Sequence, residues 1–152
     1  MLKKFGRKLS RFISGHPFIR DLISMVLIVG VLYFGFKGGM ALALQSSSPM
    51  RGVTSGSMKP TFQRGDLLII EGVDSPADIK ENDIIVFEYP GSNKPIVHRV
   101  IGMRMTGNGE LQFITRGDAN PSYNTEIVPP EDVIGKVVYW IPYLGYPSIM
   151  FD

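Results

Sequence analysis

Residues 22–36 form an apolar run without a formal charge, a stretch whose natural surroundings are lipid or a protein core. At about 1.5 Å per residue it falls short of a bilayer's hydrocarbon layer, roughly 30 Å thick. Continuing through Gly38, Gly39, Met40, Ala41, Leu42, Ala43 and Leu44 supplies the length, provided the Lys37 ammonium snorkels or faces a protein neighbour. A transmembrane helix over residues 21–44 is therefore expected.

The charge distribution orients it. Lys3, Lys4, Arg7, Lys8, Arg11 and Arg20 all precede the run, although the whole chain carries only +2. Positive charge concentrated on one flank places residues 1–20 in the cytoplasm and everything after Gln45 outside. A cleavable secretory signal is the competing reading, since a basic start, an apolar middle and Ala41-Leu42-Ala43 describe one as well. Both readings export the remainder of the chain. The cations mark an end and not a groove, so nucleic acid is not an expected partner. The absence of cysteine excludes disulfides, thiolate nucleophiles and thiolate metal sites.

Ser46-Ser47-Ser48-Pro49 breaks the pattern. Beyond it, residues 67–70, 84–87, 96–101, 111–115 and 133–140 are short runs rich in branched and aromatic side chains, punctuated by Gly, Pro, Asn and Asp. The expected fold class is mostly β: a small antiparallel domain over residues 45–152, preceded by one membrane helix. Thr106-Gly107-Asn108-Gly109 predicts a hairpin. With Gly107 and Asn108 as its two central residues, His98 falls opposite Gly117 and Asp118 one position away. A one-residue bulge would bring Asp118 directly across.

Ser55-Gly56-Ser57-Met58-Lys59-Pro60-Thr61 follows the membrane segment closely. A serine hydroxyl needs a base to take its proton, and that base must be neutral near working pH. His16 lies on the predicted cytoplasmic side, which leaves His98 as the imidazole available to Ser57. A carboxylate at the other ring nitrogen would fix the tautomer, and Asp118 is the candidate. Lys59 and Lys94 are alternative bases if burial lowered their pKa. Arg99 is not one, because guanidinium stays charged. A metal site from His98, Asp118 and Glu126 lacks a second histidine, so no cofactor is expected.

These pieces resemble type I signal peptidase, in the archaeal and endoplasmic-reticulum branch that uses histidine where bacterial enzymes use lysine. The resemblance rests on the membrane anchor, the Ser57 motif, Arg64-Gly65-Asp66, Val97-His98-Arg99-Val100-Ile101-Gly102, Thr115-Arg116-Gly117-Asp118-Ala119-Asn120 and Val133-Ile134-Gly135-Lys136. It implies Ser57 as nucleophile, His98 as general base and Asp118 as orienting acid. It also implies an oxyanion hole from the Ser57 N–H and the Ser55 hydroxyl. The family often carries a second acid shortly after the first, and the corresponding place here holds Asn124. An amide cannot hold the negative charge of a second carboxylate.

The implied partners are signal peptides of exported preproteins, the lipid bilayer, and a secretion channel or accessory subunits. Such peptides present extended chain with small residues before the cut, which an exposed strand edge and shallow apolar pockets would bind. Met50, Met58, Phe62, Leu67 and Ile69 are candidates for pocket lining and equally for core. Two other functions compete: a self-cleaving repressor-type serine protease, which should lack an anchor, and an exported β module that binds without catalysis.

Overall fold

The computed structural model describes residues 16–46 and 48–150. Lys3, Lys4, Arg7, Lys8 and Arg11 lie outside them. The chain divides into two compact units between Gly39 and Met40.

Helix α1 spans Pro17–Ala43 and none of its residues is buried. Proline suits a first helical turn, whose N–H would lack an intrahelical acceptor anyway. The 27 residues reach about 40 Å at 1.5 Å each, enough to cross a hydrocarbon core with length to spare. The helix is long and apolar enough to be a membrane span. It starts earlier than the expected position 21, so Arg20 lies in its first turn and pairs with Asp21 at 3.2 Å.

The second unit is a seven-stranded sheet in the order β1-β2-β7-β3-β4-β5-β6. Its strands are β1 Met50–Gly52, β2 Leu67–Glu71, β3 Ile84–Phe87, β4 Ile96–Met105, β5 Leu111–Arg116, β6 Glu126–Val128 and β7 Val133–Ile141. Every pairing is antiparallel. The five expected runs are β2, β3, β4, β5 and β7. The two additional strands, β1 and β6, are three residues each and form the sheet's edges.

All four residues of β3 are buried, and an unbroken apolar run is what a strand covered on both faces requires. Ile84 and Val86 join one core with Val53, Met58, Phe62, Leu68 and Ile70. Ile85 and Phe87 join the other with Ile79, Val100, Phe113 and Val128. The Ser57 segment is thus anchored in the first core by Met58 and Phe62, each 2% exposed.

Arg64-Gly65-Asp66 ties the start of the sheet to the end of the chain. The buried Asp66 carboxylate accepts from the backbone N–H groups of Gln63 at 2.9 Å and Tyr143 at 3.1 Å. Gly65 has a φ of +96°, and an added Cβ would lie 2.2 Å from the Tyr146 ring at the start of helix α2, Tyr146–Ile149. Only glycine meets both conditions.

The hairpin between β4 and β5 reaches the expected register by an unexpected route. The turn is one residue longer than a two-residue loop: Thr106 N–H donates to the Glu110 carbonyl, and Met105 faces Leu111, not Glu110. A bulge between Val100 and Gly102 then cancels the offset. Arg99 therefore stands across from Arg116, the alignment that the shorter count requires.

Candidate active site

Alternation along β4 turns His98 and Val100 to the same face, and His98 is only 4% exposed. Its ring packs against Phe87 with centroids 6.3 Å apart. On the same face β5 contributes Thr115, which opposes Glu126 of β6 in the ladder. The row ends in a hydrogen bond. His98 Nδ1 lies 2.8 Å from Glu126 Oε2, and the Thr115 hydroxyl donates to that same oxygen at 3.1 Å. The His98 and Glu126 side chains are 5% and 12% exposed, so water competes weakly for the bond.

Asp118, expected against this ring, is engaged elsewhere. Arg99 grips both its oxygens, with Nε donating to Oδ1 at 2.9 Å and Nη2 to Oδ2 at 2.7 Å. Thr61 also donates to Oδ2. The Arg99 hydrogen bond holds the Asp118 carboxyl below the usual carboxylate range, partly offset by burial and assisted by Thr61. The same pair raises the Arg99 guanidinium above its ordinary value.

The Ser57 segment meets this turn directly. The Ser57 carbonyl accepts from Ala119 N–H at 2.8 Å. A Cβ built on the buried Gly117 would lie 2.6 Å from the Ser57 carbonyl oxygen and 2.8 Å from His98 Nε2. The Ser57 backbone and the imidazole therefore border one point, which a side chain would fill. With Nδ1 on Glu126, Nε2 is the nitrogen on the Ser57 side. Ser57 Oγ is 3.2 Å from Ser55 Oγ. Both lysines weighed as bases, Lys59 and Lys94, are exposed, so the burial that would fit them to that role is missing.

Ser55 and Ser57 line a cleft of about 430 Å³ together with Met50, Val53, Met58 and Val97. Met50, Met58 and Phe62 border the cleft, Met58 and Phe62 belonging to the first core as well, whereas Leu67 and Ile69 do not line it. The edge strand β1 forms part of its wall.

Among the expected site residues, the fold groups Ser55 with Ser57, sets the Ser57 backbone beside His98, and joins Asp118 to the Ser57 segment through Thr61 and Ala119. It does not join Asp118 to His98 Nδ1. Glu126 takes that place, having been weighed from sequence only as a metal ligand. Its signal was an acid opening a short branched run, Glu126-Ile127-Val128, just after the exposed Asn124.

Comparison with known proteins places the chain in a family. Residues 19–105 match the family model described as signal peptidase, peptidase S26. The signal peptidase complex catalytic subunit sec11 of Pyrenophora teres f. teres is 37% identical over 140 residues, covering 87% of this chain and 79% of that protein. SEC11 of Colletotrichum graminicola is likewise 37% identical, with 87% and 80% covered. SEC11 of Pyricularia oryzae is 36% identical over the same shares. The chain belongs to the signal peptidase family, peptidase S26, and is a serine peptidase of that family.

Proposed function

We propose that this chain cleaves signal peptides from exported preproteins at the extracytoplasmic face of a membrane, with Ser57 as nucleophile and His98 as general base. The observation that carries the reading is the convergence at Gly117 of the Ser57 carbonyl and His98 Nε2, with the ring's other nitrogen on a carboxylate. In this reading the Ser57 hydroxyl gives its proton to Nε2 as it attacks the scissile carbonyl. The imidazolium returns it to the departing amine, and water hydrolyses the acyl-enzyme by the same route. The Ser57 N–H and the Ser55 hydroxyl would donate to the oxyanion, each worth a few kcal/mol in a preorganised site.

An extended peptide would enter the cleft along β1, an edge strand that pairs with β2 on one side. Backbone pairing there tolerates sequence variation, and the apolar wall of Val53, Met58 and Val97 favours small side chains near the cut. Helix α1 would hold the enzyme in the bilayer where tethered substrates are concentrated. The basic flank sets its orientation, with the N-terminus cytoplasmic. The relatives are named as catalytic subunits of a signal peptidase complex, which supports accessory subunits as partners here as well. A secretion channel is a further expected neighbour.

The test is processing of a labelled preprotein by membranes containing the full chain. Ser57→Ala and His98→Ala should each abolish cleavage, while Asp118→Asn leaves residual activity. Normal processing by the His98→Ala protein would defeat the assignment.

A further inference from the structure

We infer that Glu126 is the positioning residue for the His98 imidazole, and that Asp118 instead serves a clamp holding the Ser57 segment in place. This deepens the proposed peptidase reading and rests on it.

The two carboxylates lie near the same ring and face different tasks. Glu126 meets Nδ1 at 2.8 Å and is itself oriented by the Thr115 hydroxyl at 3.1 Å. The β5–β6 ladder sets Thr115 opposite Glu126, so the position of this acid is fixed by sheet pairing. An N–H···O bond to a carboxylate in such a shielded place selects the tautomer with its proton on Nδ1, leaving the Nε2 lone pair for Ser57. It also supplies the negative charge that stabilises the imidazolium once the Ser57 proton has moved to Nε2.

Asp118 is poorly suited to that task. Both its oxygens are occupied, and its charge is offset by Arg99, whose Nη1 is also fixed on the Asn82 carbonyl at 3.0 Å. Its contacts lead to the nucleophile's segment. Thr61 donates to it, Arg99 Nη2 lies 3.2 Å from the same Thr61 hydroxyl, and the neighbouring Ala119 N–H holds the Ser57 carbonyl at 2.8 Å. Strand β3 contributes apolar groups on this side, Ile85 opposite His98 and Phe87 against its ring. Among the described residues, the charges beside His98 are Glu126 directly and the Arg99–Asp118 pair as a largely cancelled neighbour.

The experiment compares Glu126→Gln, Glu126→Asp and Asp118→Asn in the full chain in detergent micelles, following preprotein cleavage against pH and thermal stability. Glu126→Gln should lower kcat by about 100- to 10,000-fold and move the acidic limb of the rate profile to lower pH. Glu126→Asp should recover part of the rate, and Asp118→Asn should leave the limb in place. A second readout is the His98 Nδ1–H proton resonance, expected far downfield in the unaltered chain and retained in Asp118→Asn. The inference is overturned if Glu126→Gln keeps the original rate and limb, or if Asp118→Asn is the change that displaces the limb or removes the resonance. Failure of the peptidase reading looks different: the Ser57→Ala chain would then cleave normally. An inactive Ser57→Ala beside a fully active Glu126→Gln rejects only the role of Glu126.

Discussion

Arg99 holds Asp118 by two parallel hydrogen bonds, at 2.9 and 2.7 Å, and this forked pair joins strand β4 to the turn whose Ala119 N–H donates to the Ser57 carbonyl. A guanidinium matched to a carboxylate in this way is both directional and charge-assisted. The pair lies at the edge of the site, with side chains 27% and 17% exposed, shielded enough to matter and open enough to titrate.

Its pH dependence has a defined sign. The folded state depresses the Asp118 pKa, chiefly through the Arg99 hydrogen bond, so the unfolded chain binds that proton more readily. The contribution is complete above about pH 4, the ordinary range of an aspartate, and is lost as pH falls through the lower folded value. Asp118→Asn should therefore cost about 1–3 kcal/mol at neutral pH, and the gap between the two proteins should close on acidification. Thermal midpoints of both, followed downward from neutral pH, check this; a gap that widened toward acid would contradict the ion-pair account.

Asp66 has a purely structural prediction. Its carboxylate serves two backbone donors distant in sequence, Gln63 and Tyr143, and is 3% exposed as a residue. Asp66→Ala should cost about 2–3 kcal/mol by leaving both donors short of an acceptor, while Asp66→Asn retains an acceptor and loses less. Denaturant unfolding measures the difference. Equal stability of the alanine and aspartate proteins would mean that water replaces the carboxylate without penalty.

Much of this architecture could be read before any coordinates. Runs such as Ile84-Ile85-Val86-Phe87 declare themselves as strands because four consecutive branched or aromatic residues suit a buried strand and little else. Three-residue edges such as Met50-Arg51-Gly52 carry no period to detect. Strand β6 is one of these, and it matters chemically, because Glu126 reaches His98 only when β6 pairs with β5 and sets it against Thr115. The register that sets Arg99 against Arg116 can be counted from the sequence, but only because a longer turn and a bulge offset each other. The capture of Asp118 by Arg99 depends on three-dimensional proximity that residue spacing does not encode.

Ser55 gives a prediction about rate. Its hydroxyl is 3.2 Å from the Ser57 hydroxyl and on the wall of the cleft, and in the proposed mechanism it donates to the developing oxyanion. Ser55→Ala should lower kcat by roughly 100- to 1,000-fold with little change in KM, since such a donor acts mainly in the transition state. Ser55→Thr keeps the hydroxyl and should recover much of the loss. Steady-state kinetics on a soluble peptide substrate would decide it: a change confined to KM would make Ser55 a binding group instead.

Gly117 offers the sharpest steric test of the site. Its missing side chain leaves room for three groups at once: a Cβ would lie 2.6 Å from the Ser57 carbonyl oxygen, 2.8 Å from His98 Nε2 and 2.9 Å from Asn120 Nδ2. The Ser57 oxygen cannot retreat freely, because it accepts from Ala119 N–H at 2.8 Å, and the ring is tethered to Glu126 from behind. In Gly117→Ala the imidazole or the serine segment must shift, and a displacement near 1 Å in a reacting geometry typically costs about 100-fold. The overpacking itself should cost about 1–3 kcal/mol, leaving a folded but nearly inactive enzyme. Gly107→Ala is the matched control, because a Cβ at that position in the hairpin turn meets nothing within 4 Å, and its turnover should match the unaltered chain. Measuring kcat and the thermal midpoint for both variants separates the two effects. Near-normal turnover by Gly117→Ala would show that the serine and the imidazole do not meet across this glycine, and the catalytic geometry would have to be drawn elsewhere.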